Sequence, residues 1–239
     1  MIGPMLQVCP NGSRTEGVPT SPDEIAAAVR AAIDVGAEDV HVHPKDAAGR
    51  RHHGAAPRRR DRHRRPHRDA RRPRRRDDGG LDGRRPGRAR RARPVLDGPA
   101  RPRVGELPRG GRRAGRRGAL RAGVAIEAGI FSGTDAAQRF LAWPHAHHVL
   151  RILAEVTDPD PETATGTAKE LLHDLGTRLS VPILLHGEDG GAWPVLRLAA
   201  RLNLDVRIGL EDTLGLPDGS PAADNAALVQ TARALIAVD

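Results

Sequence analysis

Residues 51–118 use nine residue types only: Arg, His, Gly, Ala, Pro, Asp, Glu, Leu and Val. They carry 26 Arg against 7 Asp and Glu, and five Leu and Val in all. So few branched apolar side chains cannot offset the entropy of ordering the segment, which is expected to be disordered. The rest of the chain has the opposite balance, 13 Lys and Arg against 23 Asp and Glu. The formal net charge of +9 and the pI of about 11.2 therefore belong to one block inside a mildly acidic chain. An Arg-rich arm that binds nucleic acid is one reading of the block. Such arms mix Lys with Arg and interleave aromatic residues for base stacking. This block has neither, and its single Arg-Gly-Gly at 109–111 is no repeat. Nucleic acid is not the expected partner.

The restricted alphabet has a second explanation. All nine types have codons that begin with G or C. In a GC-rich gene the third codon base is nearly always G or C. A frame slip that turns this base into a first base leaves ten residue types, and nine of them are the nine seen here, with Gln absent. The block accordingly reads as an out-of-frame translation bracketed by two compensating slips. Decoded under that slip, Arg71 to Leu81 permits Gly-Val-Pro-Val-Gly-Val-Thr-Thr-Gly-Ala-Trp, a buried strand ending in a small polar loop. Glu106-Leu107-Pro108-Arg109 permits Asn-Phe-His-Glu.

Outside the block, short apolar runs alternate with helical stretches. Strands are expected at Met5–Cys9, Asp39–His43, Val124–Phe131, Val149–Thr157, Val181–His186 and Asp205–Leu210. Ser21-Pro22-Asp23-Glu24 is a capping box with Pro at the first helical position, opening a helix that ends near Gly36. Further helices are expected over about Thr134–Trp143, from Asp160-Pro161 to Gly176, over Ala192–Arg201, and from Ser220-Pro221 onward. Strands alternating with helices imply a parallel sheet. Two βα units precede the block, four follow it, and the block has room for two more. Eight units in 239 residues predict a single (β/α)8 TIM barrel spanning 1–239, with its third and fourth units replaced by the aberrant segment. A doubly wound open sheet is the alternative, weakened by the absence of a Gly-x-Gly-x-x-Gly turn. The one cysteine, Cys9, excludes a disulfide scaffold and a cysteine-based zinc site. It also suits a reducing cytoplasm, and no apolar run approaches the length of a membrane helix.

In a barrel the chemistry gathers where the strands end, and here those ends are polar. Asn11 and Arg14 follow the first strand, His41 and His43 the second, and Glu127 lies in the fifth. His186-Gly187-Glu188-Asp189 follow the seventh, and Arg207 with Glu211-Asp212 the eighth. His41 and His43, two apart on a strand, turn both rings to one face and can share a cation. Two histidines, a carboxylate and an open position form a catalytic zinc pattern. Of Glu211 and Asp212, one can ligate while the other stays free as a base; a helix-capping or solvated pair is the plainer reading. Glu127, among apolar residues, is costly unless paired or working, and an ion pair with an Arg is its structural alternative. Arg207 suits an oxyanion, a substrate carboxylate or a salt bridge at the barrel mouth. His145, His147 and His148 read as a solvated surface cluster, and Trp143 and Trp193 as packing.

The segments Gln7-Val8-Cys9-Pro10-Asn11-Gly12, His41-Val42-His43-Pro44, Glu127 to Gly133, His186 to Gly190 and Gly209-Leu210-Glu211-Asp212-Thr213 together resemble the β-keto acid cleavage enzymes. This family includes the 3-keto-5-aminohexanoate cleavage enzyme, and the resemblance covers about 1–50 and 119–239. It implies a zinc-dependent barrel that condenses a small β-keto acid with acetyl-CoA. A retro-Claisen step then gives acetoacetate and a new acyl-CoA. By position the zinc ligands would be His41, His43 and Glu211. Glu127 would help enolise acetyl-CoA, while Asp212 and Arg207 would handle the proton that triggers C–C cleavage. Asn11, Ser132, His186 and Glu188 would meet substrate, and a homo-oligomer is expected. The family's third-strand Thr-Thr-Gly loop and fourth-strand Asn-x-His-Glu are missing as the chain is written, which implies an inactive chain, yet both survive in the decoding. A barrel amidohydrolase is the rival enzyme, but it needs further His ligands on the fifth and sixth strands.

Overall fold

A computed structural model of the chain describes residues 3–45, 125–176 and 180–237, together with the backbone of Val104–Glu106. The first strands and helix are β1 (Leu6–Val8), α1 (Pro22–Asp34) and β2 (Asp39–Val40). β3 (Val104–Glu106), β4 (Ala125–Phe131) and α2 (Ala136–Leu141) come next. They are followed by β5 (Arg151–Val156), α3 (Ala164–Leu175), β6 (Ile183–Gly187) and α4 (Ala192–Arg201). β7 (Asp205–Ile208) and α5 (Asn225–Ile236) complete the described elements.

All strand pairs are parallel, and the seven-stranded order is β2-β1-β7-β6-β5-β4-β3. Consecutive strands are neighbours except β2 and β3, which stand at the two ends of the order, and one seam joins β1 to β7. A doubly wound sheet instead reverses direction at an internal switch point. Two contacts require the sheet to curl. Arg151 on β5 reaches Asp39 on β2, although three strands separate them along the sheet. His41, just beyond β2, reaches Glu127 on β4. These pairs cross an interior rather than follow a surface, so the sheet is TIM-barrel-like. α1 also packs against α5, as the first and last helices of such a ring must.

Burial follows this arrangement. All six residues of β5 are buried, as expected for a parallel strand covered on both faces. α4 buries Trp193, Val195, Leu196, Leu198 and Ala199 against the sheet and exposes Arg197 and Arg201 at its edge or in solvent. The capping box forms as expected: Ser21 Oγ accepts from Glu24 N–H, and the Glu24 carboxylate accepts from Ser21 N–H. No described helix is long and apolar enough to cross a membrane.

Several boundaries differ from the expected ones. β2 ends at Val40, because His41–Pro44 leaves the ladder after His41 N–H donates to Val8 C=O. Asp160-Pro161 begins a turn, and α3 starts only at Ala164. Ser220-Pro221 does not start the last helix: Pro221 bridges to Gly215, and Asp224 caps α5 by accepting from Ala227 N–H. The expectation of disorder through 51–118 needs one correction. Val104–Glu106 forms a strand paired with β4, with Glu106 opposite Glu127, and so takes the fourth barrel position. The remainder of that segment, and the third barrel strand expected within it, lie outside the described residues.

Candidate metal centre

The seam between β1 and β7 builds one half of the site. At Gly209 the two chains run so close that a Cβ would lie 2.0 Å from the Cys9 carbonyl oxygen. Gly12 has a positive φ of 53°, and a Cβ there would lie 2.3 Å from Glu211 Cγ. Glycine is required on both counts. The two close approaches carry Glu211, next after β7's exit turn, onto Cys9 at the end of β1, and Cys9 Sγ contacts Glu211 Oε2.

The histidines supply the other half. Asn11 grips the backbone of His43 from both sides: its Nδ2 donates to His43 C=O at 2.9 Å, and its Oδ1 accepts from His43 N–H at 3.0 Å. His43 Nε2 then lies 3.0 Å from Glu211 Oε2 and 3.1 Å from His41 Nε2. Cys9, His41, His43 and Glu211 bring their ligand atoms within 4.8 Å of one another. Nitrogen and oxygen donors about 2.0–2.1 Å from a tetrahedral zinc ion stand about 3.3 Å apart, close to the His43–Glu211 and His41–His43 separations, so the group could hold a metal ion. The far nitrogen of His41, Nδ1, faces Glu127 Oε2 at 3.0 Å. A carboxylate behind a ligating imidazole fixes which nitrogen points at the metal.

Glu127 is fully buried, with Arg151 on its other oxygen. Burial would raise its carboxyl, but the His41 hydrogen bond and the Arg151 charge outweigh that and hold it at about 2. Arg151 also reaches Asp39, which accepts from Gln7 Nε2 at 3.0 Å. The arginine pair set out as the alternative reading of Glu127 is therefore present, together with a histidine. Glu211 is likewise held below the usual carboxylate range. Its burial opposes this, but His43 and the Arg207 charge prevail. Burial pushes the Cys9 thiol well up, with Glu211 and Asp212 adding to the effect and Arg207 opposing it.

Beside the four donors lies a second buried group. Arg207 donates to Asp212 Oδ1 from Nε at 3.1 Å and from Nη2 at 2.7 Å. His186 Nδ1 stands 3.2 Å from the same oxygen, and its Nε2 lies 3.8 Å from Glu155. Asp212 Oδ2 is buried with no hydrogen-bond partner among the described residues. Arg207 Nη2 is 3.9 Å from Glu211, which links the two groups.

Other expected contributors are spoken for. Ser132 Oγ lies 3.1 Å from Thr157 Oγ1 and accepts from Thr157 N–H. Glu188 is half-buried after β6 and outside the four-donor cluster, and Arg14 pairs with Asp189. Three participants escaped the sequence reading. Glu155 carries the signal that singled out Glu127, a carboxylate in an apolar strand, and Arg151 opens that same strand. One cysteine cannot make a cysteine-based site, but a mixed donor set needs only one, and Cys9 supplies it. The histidines that an amidohydrolase would need on the fifth and sixth strands are replaced by Glu127 on β4 and Glu155 on β5.

Residues 141–238 match the beta-keto acid cleavage enzyme family. The matched stretch runs from the end of α2 through α5 and includes Glu155, His186, Arg207, Glu211 and Asp212. It thus supports, over the carboxylate side of the site, the resemblance read from the sequence. No curated protein matches the chain.

Proposed function

We propose that this fold cleaves small β-keto acids with acetyl-CoA, releasing acetoacetate and a new acyl-CoA, with zinc held by His41, His43 and Glu211. The observation that carries the reading is Asp212 Oδ2, a buried carboxylate oxygen without a hydrogen-bond partner among the described residues, beside a donor set that could hold a metal. Zinc bound there would supply a Lewis acid for the substrate's keto oxygen. Asp212 takes and returns the proton at Oδ2 on either side of C–C bond making and breaking. Arg207 donates to its other oxygen, which His186 Nδ1 approaches at 3.2 Å, and Oδ2 is left for the proton. Glu127 orients His41; its firm hold by two partners favours this positioning role over enolisation of acetyl-CoA.

The reading applies to the frame-repaired protein. We further propose that two compensating frame slips, in the gene or introduced in sequencing, bracket 51–118, and that the chain as written lacks the third-strand loop and fourth-strand Asn-x-His-Glu of an active enzyme. The pairing of Val104–Glu106 beside β4 supports this, because the decoded Asn-x-His-Glu begins at Glu106. The deciding assay gives the zinc-loaded, frame-repaired protein acetyl-CoA and a panel of β-keto acids. Acetoacetate is the expected product. Hydrolysis of amides or cyclic ureides without acetoacetate would hand the site to the amidohydrolase chemistry.

A further inference from the structure

Cys9 is the one member of the four-donor cluster to which the proposed reaction gives no task. It is fully buried at the end of β1, it contacts the same Glu211 oxygen that His43 approaches, and its sulfur shares the 4.8 Å cluster with both histidines. A buried thiol fixed by a backbone seam on a ligand carboxylate is already where a fourth ligand must be. We propose that Cys9 Sγ is the fourth ligand, closing a Cys-His-His-Glu set around the metal at rest. This rests on the metal reading above and goes beyond it in the ligand count. As the sulfur–metal bond forms, the thiol proton leaves to solvent.

Two consequences follow. A thiolate makes the site softer than two imidazoles and a carboxylate alone, so it selects zinc or cobalt over magnesium and manganese. With four protein ligands in place, a substrate oxygen must either enter as a fifth ligand or displace one of them. Cys9 is the candidate for displacement, since the carboxylate behind His41 and the Asn11 grip on His43 hold the two imidazoles in place.

Cysteine count makes the test direct. Cys9 is the only cysteine in the chain, so any thiolate-to-metal signal belongs to it. The full chain loaded with cobalt(II) should show a near-ultraviolet thiolate-to-cobalt charge-transfer band. Cys9→Ser should lose that band while keeping the visible cobalt bands. Its zinc affinity should fall by more than the about 10–100-fold typical of a change behind a ligand. The spectrum of the unsubstituted protein decides the matter even if Cys9→Ser fails to fold. Cobalt bound with no charge-transfer band overturns the proposal, and so does failure to bind cobalt. On the frame-repaired protein, acetoacetate production without the band would sink the ligand and spare the function; the band without acetoacetate would do the reverse.

Discussion

Asp212 and Glu127 are both buried carboxylates, yet their surroundings give them opposite tasks. Glu127 has a cation or an imidazole on each oxygen, whereas Asp212 has one oxygen with no hydrogen-bond partner among the described residues. Asp212→Asn should therefore retain zinc and lose about 10²–10⁴-fold in turnover, the range typical of general acid–base loss; kcat and bound metal are measured on the same sample. Glu127→Gln should show the complementary pattern, an about 10–100-fold loss of zinc affinity read by chelator competition. The His-x-His spacing was legible in the sequence because residues two apart in extended chain share a face, and the Glu-Asp pair because two carboxylates follow directly on a strand end. Cys9 was not, because its partner Glu211 lies 202 positions away and only strand order joins them.

At the level of elements, the Asp39–Arg151–Glu127 chain ties β2, β5 and β4 across the interior. Arg151→Met would leave Glu127 buried without its cation and should cost about 3–5 kcal/mol in urea unfolding, most of it recovered in Glu127→Gln/Arg151→Met. The same pairing sets an acid limit for the metal-free protein. Glu127 sits at about 2 in the fold against 4.5 for a free carboxyl, so its contribution is complete above about pH 4.5 and is lost as pH falls toward 2. In Glu127→Gln that part of the acid slope should vanish from stability measured between pH 5 and 2. Most elements were legible from alternation and caps, and α4 matches its expected bounds throughout. The misplaced starts of α3 and α5 share a cause. Asp-Pro and Ser-Pro also open turns, and which of them continues as a helix depends on whether the following turn meets apolar surface.

For the whole molecule, the sequence reading located six strands from their apolar runs and placed a barrel on their number. The strand at Val104–Glu106 was hidden because its residues, as written, carry no strand pattern; its place shows only through pairing with β4. If the coding frame is as proposed, the DNA for 51–118 read one frame over should run without stops. It should encode an apolar stretch near 71–78 and Asn-x-His-Glu at 106–109. A stop codon or a polar jumble in that frame would end the idea.

The meeting of β1 and β7 also puts a clock on the site. A growing polypeptide delivers Cys9, His41 and His43 well before Glu211, which follows Cys9 by 202 positions, so the centre has no complete form until β7 is in place. Metal capture is then a mark of completion. A captured ion rivets the end of β1 to the turn after β7, and chelation should loosen that join before it disturbs the buried strands β5 and β6.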